Sequence, residues 1–139
     1  MDRSDALRLV EDFVGAYNDG DLSRLDRCLA VGYRHPNPAA AQGRDGMKQA
    51  VARWRSAVDD LRLSVEDVIV EGDKIVVRMT FSGRQVGAIL DIPPSGREFS
   101  VGLIDIFVVE EGVLAGHWDE MDRLGLYRQL GAPVPARSS

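Results

Sequence analysis

The sequence predicts an α+β domain, in which N-terminal helices pack on one face of a strongly curved, mostly antiparallel sheet. Apolar residues recur at helical spacing early in the chain, whereas apolar and polar residues alternate from residue 61 onwards. The 139 residues are the size of one ordinary domain, and no repeat or linker divides them. We therefore expect a single domain over residues 1–139, with a pocket between helices and sheet.

Two helices are expected at the start of the chain. Residues 4–18 carry apolar side chains at helical spacing, with Ser4 as the expected N-cap and an Asn-Asp-Gly turn at the end. A second, short helix is expected to start at Asp21 or Ser23 and to run through Leu29. Cys28, the one cysteine, lies in this apolar segment and is interpreted as a buried, inert thiol.

An irregular segment and a third helix follow. Two prolines and a run of alanines in GYRHPNPAAAQG leave no regular period, so a loop or irregular strand is expected there. His35 stands in this segment directly before a proline, which favours extended backbone geometry. Glycines at 43 and 46 predict a turn, and apolar positions in residues 47–58 fit a helix.

Strands are expected in the second part of the chain. Residues 61–70 and 75–81 alternate, and the Gly-Asp turn between them predicts a β-hairpin. Residues 83–100 contain a looser strand and a Pro-Pro-Ser-Gly turn. Residues 99–122 are interpreted as two strands joined by a Glu-Glu-Gly turn. A short helical turn at residues 124–130, which Gly131 stops, precedes a Pro-rich end.

Charge and composition exclude several classes of partner. The net charge of −5 and the pI near 5.0 provide no basic field for nucleic acid or for an acidic membrane surface. No apolar run approaches the roughly 20 residues of a membrane span, and the charged N-terminus lacks the apolar core of a signal peptide. We expect a cytoplasmic protein whose partner is a hydrophobic small molecule.

Ionisable residues interrupt the last two expected strands. Asp105 stands in the apolar run from Val101 to Val109, and His117 and Asp119 lie two residues apart on the next strand. A period of two puts His117 and Asp119 on one face. Because a buried carboxylate is unfavourable without a partner or a role, these three residues are the candidate catalytic groups.

Several segments carry a family resemblance. The run GRQVGAILDIPPSGREFSVGLIDIFVVEEGVLAGHWDEMDRLGLYRQLGAP resembles the SnoaL-like polyketide cyclases, and YRHPNP, GRDGMKQAV and DLRLSVEDVIVEGDKIVVR extend the resemblance over almost the whole chain. These cyclases belong to the cone-shaped α+β barrel superfamily typified by nuclear transport factor two, scytalone dehydratase and steroid isomerase. The resemblance implies a cone with an internal pocket and a homodimer that pairs through the exposed sheet face.

The resemblance also implies an activity. The characterised cyclases close a ring by intramolecular aldol condensation without metal or organic cofactor, and Asp119 matches their general base. Asp105 stands where those enzymes have a histidine, and His35 stands where they have an asparagine. We expect desolvation to raise the pKa of Asp119, with His35, His117 or a protonated Asp105 as hydrogen-bond donor to the enolate. The expected substrate-pocket wall consists of Tyr17, Trp54, Met79, Phe81 and Met121.

Simpler roles compete with these assignments. Asp105 could pair with Arg78 or Arg97, Asp119 could be a surface carboxylate, His117 could bond a backbone carbonyl, and His35 could be a loop residue without a role. A metal site is disfavoured because no HxH, HxxxH or HExxH spacing occurs. The alternative functions are a non-catalytic small-molecule binding protein of the same fold, or an epoxide hydrolase or dehydratase in which an acid–base pair positions a water.

Overall fold

Residues 1–135, which the computed structural model describes, form four helices and five strands. Residues 136–139, at the Pro-rich end, lie outside this described part. The expected domain over residues 1–139 includes them. In chain order the elements are α1 (Arg3–Asp19), α2 (Arg24–Cys28), β1 (Leu29–Arg34), α3 (Gly43–Ala57), β2 (Val58–Glu71), β3 (Lys74–Gln85), β4 (Glu98–Glu110), β5 (Val113–Met121) and α4 (Arg123–Gln129).

The five strands form one mixed sheet in the order β1-β5-β4-β3-β2. The pairs β2–β3, β3–β4 and β4–β5 are antiparallel, and β1 lies parallel to β5. The sheet is not closed, since β1 and β2 are at its two edges. The predicted α+β class and the mostly antiparallel sheet are therefore confirmed. The parallel contact brings an early segment of the chain beside the last strand, where two of the candidate groups lie.

Helix α1 covers the sheet with an apolar face that includes Val10 and Phe13, both almost fully buried. Its N-cap is Asp2, whose carboxylate accepts a hydrogen bond of 2.8 Å from the Asp5 backbone N–H. The expectation that Ser4 caps this helix is wrong, because Ser4 already lies inside the first turn. The helix ends as expected at residue 20, where glycine adopts a φ of 74°.

The third helix starts earlier than expected. Residues 43–46 form the first turn of α3 and are not a separate turn. A Cβ atom at Gly46 would lie 2.2 Å from the carbonyl oxygen of Ala41, so the backbone of the preceding loop occupies the space of a side chain. Glycine is needed here for close packing of loop and helix, and it does not break the helix. Cys28, at the end of α2, is fully buried as predicted.

The expected hairpin is confirmed, with Glu71 opposite Lys74 at the turn between β2 and β3. Between β3 and β4 the chain is irregular over residues 86–97 instead of forming a looser strand. The buried side chain of Gln85 holds this segment, because its amide nitrogen donates to the Ile92 carbonyl at 3.0 Å and its oxygen accepts from the Ser95 hydroxyl at 2.6 Å. These side-chain hydrogen bonds fix the loop together with backbone bonds, such as the one from the Gln85 N–H to the Arg97 carbonyl at 2.9 Å.

One continuous core lies between the helices and the inward face of the sheet. It includes Phe13 from α1, Met47 from α3, Ile75 from β3 and Phe107 from β4. No helix within the described residues has the length and apolar character that a bilayer crossing requires.

Candidate active site

The register between β4 and β5 brings the candidate carboxylates together. Asp105 lies directly opposite Asp119, and Phe107 lies directly opposite His117. Because side chains alternate along a strand, all four point to the inward face. Trp118 points outward and is 59% exposed, as the predicted period requires. Ligand-type atoms of Asp105, His117 and Asp119 lie within 4.8 Å of one another.

Asp105 is buried, with 4% of its surface exposed, and its carboxylate makes no hydrogen bond with any residue from 1 to 135. Burial raises its pKa to about 7, and the charge of Asp119 acts in the same direction while His117 opposes it. An ion pair with Arg78 does not occur, because Arg78 binds Asp67 at 2.6 Å. The ion-pair alternative at Arg78 is therefore wrong.

Asp119 has a different environment from Asp105. Its side chain is 39% exposed, and one of its oxygens lies 3.1 Å from Nε2 of His117. The hydrogen bond from His117 lowers the pKa of Asp119, an effect that exceeds the opposing desolvation. The expectation that burial raises this pKa is wrong. The group is a carboxylate, part sheltered at the inner face and part open to solvent.

His117 is buried, and both of its ring nitrogens have side-chain partners. Nε2 faces Asp119, and Nδ1 is hydrogen-bonded to the hydroxyl of Tyr33. The rings of Phe13 and Phe107 pack against the imidazole with centroids 6.1 and 5.7 Å away. The alternative of a bond to a backbone carbonyl is wrong, since the side chains occupy both nitrogens.

Tyr33 is the residue at this site that the sequence did not point out. It lies on β1 and is fully buried. A signal was present in the YRHPNP segment, because Tyr33 and His35 are two residues apart, which is the spacing of one strand face. The absence of a regular pattern around the prolines hid it.

His35 follows β1 and is brought close to His117, with the two ring centroids 5.7 Å apart. Its Nδ1 accepts a hydrogen bond of 3.1 Å from the Asn37 backbone N–H. Burial lowers the pKa of His35, and the neighbouring His117 acts in the same direction. His35 is therefore a neutral, half-buried imidazole with one nitrogen engaged by its own loop.

The expected pocket-wall residues are all part of the core or pack against it. Trp54 packs edge-on against Phe81 with centroids 5.4 Å apart, Met79 is buried, and Met121 is half-buried near the end of β5. Burial is the main cause that raises the pKa of Tyr17. The charges of Asp105 and Asp119 act in the same direction, which shows that the ring lies near them. These positions fit a wall, and their contact with substrate stays a prediction.

Two clefts elsewhere on the surface do not contain these groups. One, of about 450 Å³, lies between α1 and β2, and the other, of about 690 Å³, lies between the start of α1 and two hairpin turns. Neither is lined by a candidate catalytic residue. A substrate cavity at the carboxylates therefore stays a prediction.

The close approach of two carboxylates and an imidazole also bears on metal binding. Atoms within 4.8 Å of one another can share one cation, so the absence of a familiar sequence spacing does not exclude a site. Strand pairing, which short-range spacing cannot show, joins Asp105 to the other two residues.

Comparison with known proteins gives a consistent result. The model of the SnoaL-like polyketide cyclase family matches residues 4–130. Aklanonic acid methyl ester cyclase DnrD of Streptomyces peucetius is 30% identical, with 95% of this chain and 94% of that protein covered. Nogalonic acid methyl ester cyclase of Streptomyces nogalater is 30% identical over 132 residues, with 88% and 94% covered. The structure of TsrD from Streptomyces laurentii is 62% identical with a TM-score of 0.93, covering 96% of this chain and 99% of that one.

Proposed function

The chain belongs to the SnoaL-like polyketide cyclase family, and from this membership and the inward-facing acidic cluster we propose that it is a cofactor-independent cyclase. Its substrate is a polyketide-like carbonyl compound, and its reaction is an intramolecular aldol condensation. Relatives that match nearly the whole chain are named as cyclases of aklanonic and nogalonic acid methyl esters. Hydrophobic aromatic esters are accordingly the first substrate class to test.

The proposed reaction uses the two opposed carboxyl groups. Ionised Asp119 removes a proton from the carbon next to a carbonyl, and neutral Asp105 donates a hydrogen bond to the enolate oxygen that forms. The enolate carbon attacks a second carbonyl of the same molecule, which makes the new carbon–carbon bond and an alkoxide. The proton held on Asp119 then returns to the alkoxide, so the enzyme ends in its starting state.

One observation carries this proposal: Asp105 and Asp119 are cross-strand partners, but Asp105 is buried without a hydrogen bond from residues 1–135, whereas Asp119 is part exposed and hydrogen-bonded to His117. These environments shift the two pKa values in opposite directions. Two like groups whose environments separate their pKa values are suited to act as an acid and a base at the same pH. Steroid isomerase likewise keeps a carboxylic acid neutral in an apolar site so that it can donate a hydrogen bond.

The lowered pKa of Asp119 would by itself make it a weak base. Its side chain is 39% exposed, and an apolar substrate bound over it would exclude water from that surface. Desolvation disfavours the charged form, so substrate binding should raise the pKa of Asp119 and strengthen it as a base. In the free enzyme Asp119 thus stays ionised, and in the complex with substrate its raised pKa makes it a stronger base.

The test is turnover of a panel of aromatic polyketide methyl esters by wild type and by Asp119→Asn. We expect the variant to lose at least about 10²–10⁴-fold in kcat, the usual contribution of a positioned base. Its fold should persist, because the changed group is partly exposed. Glu120→Gln is the matched control, since this neighbour points to the outer face and should leave kcat unchanged. Unchanged turnover in Asp119→Asn would refute the assignment.

The same panel separates the alternatives. A compound that raises the melting temperature without being converted would identify a binding protein. A product that has gained water would identify a hydrolase, and one that has lost water without forming a ring would identify a dehydratase. A product of the same mass with one new ring is the result expected for the cyclase.

A homodimer is also part of the proposal. The outer face of the sheet carries an apolar row across four strands, formed by Ile69, Val76, Ile106 and Trp118, each the cross-strand partner of the next. The two ends of the row are each 59% exposed. An exposed apolar row of this length is typical of a protein interface, and pairing of two copies through it would leave the inner face free for substrate.

A further inference from the structure

Tyr33 connects to the proposed base through His117. Its hydroxyl contacts Nδ1, and on the far side of the same ring Nε2 lies 3.1 Å from Asp119. Within residues 1–135, the two ring nitrogens make no other polar contact. The imidazole therefore connects one phenol with one carboxylate. The phenyl rings of Phe13 and Phe107 restrict the imidazole from its sides.

The chemistry of the two partners sets where the imidazole proton lies. Burial raises the pKa of Tyr33 well above its usual value, so its oxygen carries a proton. The pKa of Asp119 is lowered, so its oxygens are acceptors only. In the singly protonated ring, both contacts are satisfied when Nδ1 accepts from the tyrosine and Nε2–H donates to the carboxylate. The opposite tautomer would set a nitrogen lone pair against a carboxylate.

We propose that Tyr33 is a positioning residue, which holds His117 in the Nε2–H tautomer and thereby orients Asp119 for proton transfer. The tautomer follows from the two contacts and from the proton that the buried phenol keeps, whereas the catalytic consequence rests on the proposed function. The tyrosine itself does not touch the reacting atoms in this scheme. Its place on β1, parallel to β5, gives that edge strand a role in the site.

The first test reads the tautomer directly. The chain has two histidines, so nitrogen NMR of protein labelled with ¹⁵N-histidine gives few signals, and His35→Gln assigns them. We expect a protonated Nε2 and an unprotonated, hydrogen-bonded Nδ1 for His117 in the wild type. A protonated Nδ1, on a ring with one proton or with two, would overturn the proposal, even if no tyrosine variant could be prepared.

The second test uses Tyr33→Phe, which removes the donor and keeps the ring. We expect the Nδ1 signal of His117 to move to the position of an unprotonated nitrogen without a hydrogen bond, and kcat to be at least about tenfold lower, with a smaller change in KM, because general-base catalysis depends on positioning. Tyr127→Phe is the matched control, since Tyr127 donates to Asp91, away from the site, and its loss should leave the His117 signals unchanged. Unchanged signals or unchanged kcat in Tyr33→Phe would overturn the proposal.

The pH profile supplies a third readout. The groups that act on Asp119 are His117, Asp105, His35, Tyr17, Tyr33 and Arg123. Of these, the His117 hydrogen bond is the main cause of the lowered pKa, so weakening it should move the acid limb of kcat/KM to higher pH in Tyr33→Phe. An acid limb at the wild-type position would contradict the proposed link. A wild type that converts no substrate would instead refute the proposed function, while the NMR spectrum would still report the tautomer.

Discussion

Environment, and not residue type, separates the two carboxyl groups of the candidate site. Asp105 is buried on the inner face of the sheet without a hydrogen bond from residues 1–135, so its neutral form is favoured. Asp119 keeps access to solvent and accepts a hydrogen bond from His117, so its charged form is favoured. The two groups are partners on adjacent strands, and this closeness is what the proposed acid–base reaction requires.

Asp105 should make the stability of this protein depend on pH. Its native pKa is about 7, and an aspartate in an unfolded chain titrates near 3.9. Between these values the native state binds more protons than the unfolded state, so stability falls as the pH rises through this window and levels off above it. Asp105→Asn removes this loss, and we expect the variant to be more stable than wild type above about pH 7, on the order of a few kcal/mol.

Urea unfolding at a series of pH values measures this effect. Asp73→Asn is a suitable control, because Asp73 is exposed at a hairpin turn and should leave the pH dependence unchanged. A wild-type slope that persists in Asp105→Asn would contradict the assignment. In turnover, wild-type kcat/KM should decline as the pH rises through about 7, whereas Asp105→Asn, which keeps an amide donor, should lack this decline.

The sequence predicted part of this site. The two-residue period placed His117 and Asp119 on one face, and the break in an apolar run marked Asp105. The strand register confirms the shared face of His117 and Asp119 and brings Asp105 opposite Asp119, whereas the catalytic roles of the three residues stay a prediction. The direction of the Asp119 pKa was wrong, because a sequence does not show which carboxyl keeps solvent and which accepts a hydrogen bond. Tyr33 was missed because its contact with His117 joins residues 84 positions apart.

At the level of elements, α1 has a direct connection to the site, since Phe13 packs against His117. The helix is covered on one face by the sheet and open to solvent on the other, so its ends depend on capping. The sequence predicted its extent within a residue at either end. The prediction of Ser4 as the N-cap was wrong. Asp2 and Ser4 are both good capping residues, and which of them is the cap depends on the residue at which the helical backbone begins.

The cap can be tested by substitution. Asp2→Ala should lower the free energy of unfolding by about 1 kcal/mol, because the Asp5 N–H loses its acceptor. Ser4→Ala is the matched control and should change it by less than about 0.5 kcal/mol, as is usual away from special features. Chemical denaturation of both variants measures the difference. Equal losses, or a larger one for Ser4→Ala, would contradict the assignment of the cap.

The start of α3 shows why glycines were misread. A glycine pair suggests a turn when only local preferences are considered. Gly46 is instead required by the approach of the Ala41 carbonyl, a tertiary contact that leaves no room for a Cβ atom. The parallel pairing of β1 with β5 is also tertiary, and it could not be read from a segment that contains two prolines. Local sequence patterns thus predicted most helices and strands. The departures from these predictions arise from contacts between elements.

For the whole molecule, the two faces of the sheet have different chemistry. The inner face holds the acidic cluster and the core, and the outer face holds the apolar row of Ile69, Val76, Ile106 and Trp118. Beside this row, Arg78 forms an ion pair with Asp67 on the same face. An apolar strip with a polar border is the usual composition of an interface. The two-residue period of β5 puts Trp118 on the face opposite to His117 and Asp119, and the row became visible only with the strand register.

Trp118→Glu should therefore convert the proposed dimer to a monomer. In a two-fold symmetric dimer the change occurs twice, and each 1.4 kcal/mol of binding free energy lost raises Kd tenfold. We therefore expect Kd to rise about 100-fold or more.

Leu7→Glu on α1 is the control, because Leu7 is 40% exposed on the helical side and should leave the assembly unchanged. Sedimentation equilibrium measures both. A wild type that is monomeric, or a Trp118→Glu protein that remains dimeric, would show that this face serves another purpose. Since Trp118 is 59% exposed, its loss should not unfold the monomer, and turnover per subunit would then show whether the inner-face site needs the partner.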